Sequence, residues 1–169
     1  MKGCVAIEHI ASPFHFSAND PQELIGPAIA GTRSVLLSAL NHANDTVKRV
    51  VITSSCSAVL TEDPEHVRTF SESDWNDKAV KDVEENGRNA RPVDMYHASK
   101  TLAERSAWQF IEENKGKVNF DVVALNPPYV FGPVLHDVKR GDELNMSMSL
   151  FYNSIVKFDK TPEELVTIK

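Results

Sequence analysis

The chain has 169 residues, 41% hydrophobic and 25% charged, ordinary globular values that exclude wholesale disorder, collagen and coiled coil. Its 18 basic and 24 acidic side chains give a net charge of −6. That balance speaks against nonspecific nucleic-acid binding, which depends on Lys and Arg neutralising phosphates. The length corresponds to about one domain, enough to bury a core without a disulfide or metal staple. The longest uncharged run, residues 122–136, is broken by Pro127, Pro128 and Pro133, so no membrane span is expected. Glu8 interrupts the apolar stretch after Val5, Ala6 and Ile7, which does not suit a signal peptide. Cys4 and Cys56 cannot build a disulfide framework and fit a reducing, cytoplasmic compartment.

Residues 4–11 read as a short apolar strand running into Ser12-Pro13. Asp20 is placed to cap a following helix, with Pro21 at its first position. Ile25, Ala28, Ile29, Thr32, Val35, Leu36, Ala39, Leu40 and Ala43 then recur at helical spacing. Pro27 and Gly31 inside that pattern predict a bend or a delayed start. Arg49-Val50-Val51-Ile52-Thr53 lacks alternation and suits a strand buried on both faces of a parallel sheet. Residues 59–94 are heavily charged without a sustained period and read as a long surface loop. From Met95 a second helix carries Ser99, Leu102, Ala103, Ser106, Ala107, Phe110 and Ile111 on one stripe, stopping at Lys115-Gly116-Lys117. Residues 120–125 form a third apolar run before Asn126-Pro127-Pro128. After Gly141 the pattern is weak, with one helix start at Thr161-Pro162-Glu163-Glu164. Strand, helix, strand, helix, strand is the order of a doubly wound α/β sheet.

Tyr96 and Lys100 lie four apart on the second helix, so their side chains leave one face a turn apart. An ammonium beside a phenol favours the phenolate and makes the phenol a better acid. Such a phenol can protonate an oxygen that gains charge as hydride reaches a carbonyl carbon. Tyr-x-x-x-Lys also arises as a plain surface pair. Ser54 and Ser55 sit where the 49–53 strand ends, and ligand crevices of open α/β sheets lie beyond the carboxyl ends of strands. Hydroxyls there can orient a substrate oxygen, or merely satisfy backbone groups. Ala11-Ser12-Pro13 and Asn126-Pro127-Pro128 follow the other two strands, so three strand ends and one Tyr/Lys helix converge on one crevice. The six histidines show no metal spacing, and no Gly-x-Ser-x-Gly is present for a serine hydrolase. His97 reads as a wall residue, Trp75 and Trp108 as packing anchors, and the acidic stretch 72–77 as a solvated loop.

These stretches together resemble the extended short-chain dehydrogenase/reductases, in particular the dihydroflavonol reductase, cinnamoyl-CoA reductase and fungal aldehyde/ketone (methylglyoxal) reductase group. The resemblance is carried by Met-Lys-Gly-Cys (1–4), His-Ile-Ala-Ser-Pro-Phe (9–14), Pro-Ala-Ile-Ala-Gly-Thr (27–32) and Arg-Val-Val-Ile-Thr-Ser-Ser (49–55). It continues through Ser-Glu-Ser-Asp-Trp-Asn (71–76), Tyr-His-Ala-Ser-Lys (96–100) and Asn-Pro-Pro-Tyr-Val-Phe-Gly-Pro (126–133). It implies an NADPH-dependent oxidoreductase acting on a small carbonyl substrate, with no metal. Tyr96 would be the general acid, Lys100 would lower its pKa and hold the nicotinamide ribose, and Ser55 would position the carbonyl, with Ser54 as the fallback. Ala11, Ser12, Pro13, Thr53, Ser54, Tyr96 and Lys100 would touch the cofactor, and Pro127 to Val130 would flank the nicotinamide.

The family opens with a Gly-x-x-Gly-x-x-Gly turn that cradles the pyrophosphate. The glycines here, at 3, 26, 31, 87, 116, 132 and 141, do not form it. The expectation is therefore a partial Rossmann-like sheet lacking its first βαβ units. Residues 1–135 would be the C-terminal part of the dinucleotide-binding domain, including the 59–94 loop, and 136–169 the start of a truncated substrate domain. Glu8 occupies a strand position usually apolar in the family, which predicts a frayed or exposed edge, and without the first strand the 5–11 strand would expose unpaired backbone groups and invite self-association. Weak NADPH binding and impaired activity of this chain follow. The rival readings are an epimerase or dehydratase relative, a non-catalytic interaction module, and an incomplete gene model.

Overall fold

A computed structural model describes residues 1–61 and 68–156. The 161–164 helix start lies outside the described residues. The elements run β1 (Ala6–His9), α1 (Gln22–His42), β2 (Arg49–Thr53), α2 (Asp77–Asn86), α3 (Pro92–Glu113), β3 (Asp121–Leu125) and α4 (Met146–Phe151). The strands form one parallel sheet in the order β1-β2-β3, with Ile7, Val50 and Val122 in register across it. This is the partial Rossmann-like α/β layer expected from the sequence.

Two compact units divide at Pro127/Pro128. In the first, α1 and α3 pack on one face of the sheet. Buried Leu36, Ala39, Ala107 and Phe110 meet Val50 and Ile52 there, with Ile7 and Val122 against the same cluster. Glu8 alternates onto the opposite face and is exposed, so its carboxylate stays in water and β1 remains ordered as an edge strand. In the second unit, described by itself, Phe131 contacts both Tyr129 and Phe151, with centroids at 6.2 and 5.6 Å.

The sequence placed the axes of the elements better than their ends. α1 begins at Gln22 and runs through Pro27 without a delayed start. Asp20 still caps it, its Oδ1 accepting from the Gln22 amide at 2.9 Å. α3 begins at Pro92 rather than Met95, because proline at the first helical position already has the required φ and no amide to leave unpaired. Its exit is made at Gly116, whose φ of +80° a side chain would resist.

The 59–94 stretch is not one loop, and that expectation is corrected. Asp77–Asn86 is helical, capped by the Asn76 side chain on the Ala79 amide at 3.1 Å. Only Ala79, Val80 and Val83 carry its inward face, too few among the charges to show a period. The helix is also fixed by tertiary bonds invisible to periodicity. Asn76 donates to the Ser57 carbonyl at 3.0 Å, and Arg105 of α3 pairs with Asp77 at 2.7 Å while its guanidinium lies over Trp75. Among the described residues no helix is long and apolar enough to cross a membrane.

Candidate active site

The carboxyl ends of β2 and β3 are laced together. The Ser54 amide donates to the Leu125 carbonyl at 2.8 Å, and the Cys56 amide to the Pro127 carbonyl at 3.1 Å. Between them the Asn126 side-chain amide donates to the Ser55 carbonyl at 3.0 Å. These bonds extend the parallel ladder past the strands and fix Ser54 and Ser55 side by side.

The two hydroxyls then differ. Ser55 Oγ accepts from the Ser57 amide at 3.1 Å, capping the short helical turn Cys56–Ala58 and leaving its own proton to donate. Ser54 Oγ is buried without a partner, and so is Ser12 Oγ at the end of β1. Both serines line a small cleft with His9, Ala11, Thr32, Thr53, Lys100 and Glu104, which has room for about one hydroxyl-sized group. A buried hydroxyl without a partner is costly, so this cleft suits one water or one ligand hydroxyl that would satisfy both serines.

Lys100 enters this cleft from α3 and is 7% exposed. Its Nζ donates to the Thr53 carbonyl at 3.2 Å. Burial pushes the ammonium below the usual lysine range, and the Glu104 carboxylate partly opposes that. His9 is held below the ordinary histidine range, first by burial and then by the Lys100 charge. Its Nε2 lies 3.4 Å from Thr32 Oγ1.

Tyr96 stands one turn before Lys100. Its ring packs edge-on against Phe14 at 5.0 Å and Phe16 at 5.7 Å, and joins the cluster around Leu24 and Met95. Aromatic edges on two sides fix the ring plane. His97 is beside it, with ring centroids 6.1 Å apart.

Of the residues singled out from sequence, Ala11, Ser12, Thr53, Ser54 and Lys100 line one cleft. Ser55 and Pro127 are tied to its rim through the backbone bonds above, and Pro13 follows Ser12 in the turn. Val130 belongs to the second unit and is 69% exposed. Sequence reasoning missed four contributors. Phe14 and Phe16 lie in a stretch without period. Asn126 was seen as a turn residue only. Glu104 was unremarked, although positions 96, 100 and 104 share one helical face and a charge between Ala103 and Ala107 on a buried stripe was the available signal. Trp108 does more than pack, since its Nε1 donates to Glu104 Oε1 at 3.4 Å.

A larger cleft of about 350 Å³ lies among α1, α2 and α3, lined by Ile25, Val80, Val83, Ala98 and Leu102. At its rim Asp20 and Arg88 pair with each other at 2.8 Å. Among the described residues no group of three or more His, Cys, Asp or Glu side chains is placed to hold a metal ion.

Parallel strands whose carboxyl ends meet α3 across a polar cleft make an open α/β arrangement, in which ligands sit beyond the strand ends. The NAD_binding_4 family, described as male sterility protein, matches residues 1–164. The NADPH-dependent methylglyoxal reductase GRE2 of Saccharomyces cerevisiae is 39% identical over 161 residues, covering 92% of this chain and 45% of that protein. The cinnamoyl-CoA reductase CAD2 of Medicago truncatula is 38% identical over 157 residues, covering 92% of this chain and 43% of that protein. The crystal structure of yeast methylglyoxal/isovaleraldehyde reductase Gre2 complexed with NADPH superposes with a TM-score of 0.76 at 38% identity, over 90% of this chain and 44% of that one. The chain belongs to the extended short-chain dehydrogenase/reductases. It spans less than half the length of these relatives.

Proposed function

We propose that this chain carries the nicotinamide-side part of an NADPH-dependent reductase of small aldehydes or ketones. The observation that carries the reading is the cleft where two unpartnered buried hydroxyls, Ser12 and Ser54, meet the Lys100 ammonium. A single ribose hydroxyl, which both donates and accepts, matches that donor set and the room available. The residues of the first unit that would hold the cofactor are Ala11, Ser12, Pro13, Thr53, Ser54, Tyr96, Lys100 and Pro127. Bound NADPH supplies a hydride.

The chain's own residues do the rest. Tyr96 gives its phenolic proton to the carbonyl oxygen as charge develops there. Lys100, one turn on, favours the phenolate that remains. Ser55, whose Oγ already accepts from Ser57, has its proton left to donate to the same oxygen. The seven glycines hold no pyrophosphate turn, so the 169-residue chain binds NADPH weakly and turns over slowly. The free thiols of Cys4 and Cys56 suit a cytoplasmic setting.

The test follows NADPH consumption by the purified chain at millimolar cofactor with a panel of small aldehydes and ketones. Tyr96→Phe is expected to remove about 10²–10⁴-fold of the rate. Equal turnover by the parent and Tyr96→Phe refutes the reading, as does the absence of any turnover at saturating cofactor.

One observation favours a second reading, self-association. β1 is an edge strand flanked by Val5 and Ile10, 65% and 61% exposed. Sedimentation should then show a dimer that dissociates in Val5→Lys/Ile10→Lys, whereas a monomer at all concentrations removes this reading.

A further inference from the structure

Glu104 is 6% exposed, and carboxylates are rarely buried so completely without a task. It stands one turn beyond Lys100 on α3 and lines the same cleft. Its two oxygens are engaged separately: Oε2 accepts from Asn126 Nδ2 at 2.8 Å, and Oε1 from Trp108 Nε1 at 3.4 Å. The Asn126 amide group that donates to it also holds the Ser55 carbonyl. One carboxylate thus connects α3 to the turn after β3 and, through it, to the end of β2.

The charge has a second consequence. Lys100 is surrounded by groups that offer little compensation. The Thr53 carbonyl accepts from it, and Ser12, Ser54 and Thr32 contribute only hydroxyls to the cleft. From β1 it is faced by His9, which repels it when protonated. On its own helix it has Tyr96 a turn before and Glu104 a turn after. Glu104 is therefore the anionic group acting on a buried cation, and its pull on Lys100 raises the ammonium's pKa against the effect of burial.

We propose that Glu104 is a positioning residue, which sets the Ser54–Ser55 strand end against α3 through Asn126 and supplies the counter-charge of the Lys100 ammonium. The assignment deepens the reductase reading and rests on it for its functional meaning. It acts through Asn126 and Lys100, and nothing requires Glu104 to touch substrate.

Glu104→Gln separates charge from shape, because the amide oxygen can still accept from Asn126. The acidity of Lys100 is read by NMR of its side-chain ammonium in the cofactor-free chain. The expected result is a folded protein with Lys100 about tenfold more acidic, the lower end of what a nearby opposite charge provides. A purely structural Glu104 would leave that titration unmoved. Lys100→Met carries the test if Glu104→Gln does not fold: losing the ammonium is expected to move the carboxyl-carbon resonance of Glu104 at pH 7. Unchanged titration of Lys100 in folded Glu104→Gln, or an unmoved Glu104 carboxyl-carbon resonance in Lys100→Met, overturns the proposal. The two claims fail separately: a tenfold change in Lys100 with no Tyr96-dependent turnover would sink the reductase reading and leave the coupling intact.

Discussion

Asn126→Asp asks whether one side-chain amide holds two strand ends and a buried carboxylate together. In the parent its Nδ2 donates to the Ser55 carbonyl at 3.0 Å and to Glu104 at 2.8 Å. Asn126→Ala removes both bonds. With 0.5–1.5 kcal/mol for a neutral acceptor and 1.5–3 for a charged one, the loss is about 2–4 kcal/mol. Asn126→Asp adds a second carboxyl at hydrogen-bond distance from the first, and two such groups cannot both ionise there. The folded variant then binds a proton more tightly than its unfolded chain. Its stability is retained below the unfolded carboxyl range, near pH 4, and is lost as pH rises towards the raised folded value, by about 1.4 kcal/mol per pH unit. Urea unfolding at pH 5 and pH 8 measures this. With a slope of about 2 kcal/mol per molar, the middle of the usual range, Asn126→Ala should move the midpoint down by about 1–2 M at both pH values. Asn126→Asp should resemble it at pH 5 and fall well below it at pH 8. If Asn126→Asp matched the parent at pH 8, the Asn126–Glu104 contact would not exist in solution.

Other consequences follow from burial and pairing. Leu36, fully buried between α1 and the sheet, should cost about 3 kcal/mol as Leu36→Ala, seen as a lower thermal midpoint. Arg49→Ala, which breaks an exposed pair with Asp121 at 2.6 Å, should leave the midpoint close to the parent's. Ser55→Ala removes the cap on Ser57 and should cost about 1 kcal/mol, whereas Ser54→Ala removes an unpartnered hydroxyl and should be neutral or stabilising in the same melts. Because burial holds Lys100 below its usual range, the unfolded chain keeps that proton to higher pH than the folded one does. Stability should therefore rise with pH between the lowered folded value and the unfolded lysine value, and Lys100→Met should lose that rise in urea midpoints taken at pH 7 and 9.5.

The three strands were legible because Val50, Val51 and Ile52 form an unbroken apolar run, and so do Val122, Val123 and Ala124. α1 and α3 were legible because their buried faces repeat at helical spacing. The crevice followed from that order, since strand ends in a parallel sheet collect at one side. α2 was not legible: its inward face is three small or β-branched residues, and Asn76 and Asp77 tie it to the Ser57 carbonyl and Arg105, partners distant in sequence. The same limit hid Glu104. Its position on the Tyr96–Lys100 face could be counted, but the Asn126 amide that makes its burial tolerable lies across the sheet. The different duties of Ser54 and Ser55 were equally closed to sequence, because they depend on which hydroxyl the Ser57 amide reaches.

The cleft lined by Ser12, Ser54 and Lys100 is proposed to take one hydroxyl of the nicotinamide ribose, with the rest of that ribose outside it. Amide NMR of the chain titrated with reduced nicotinamide mononucleotide tests it without the pyrophosphate turn. The account predicts saturable shifts confined to residues 11–13, 53–55 and 96–100, weakened in Lys100→Met. Shifts confined to the α1–α2–α3 cleft, or no saturable shift at millimolar ligand, would contradict it.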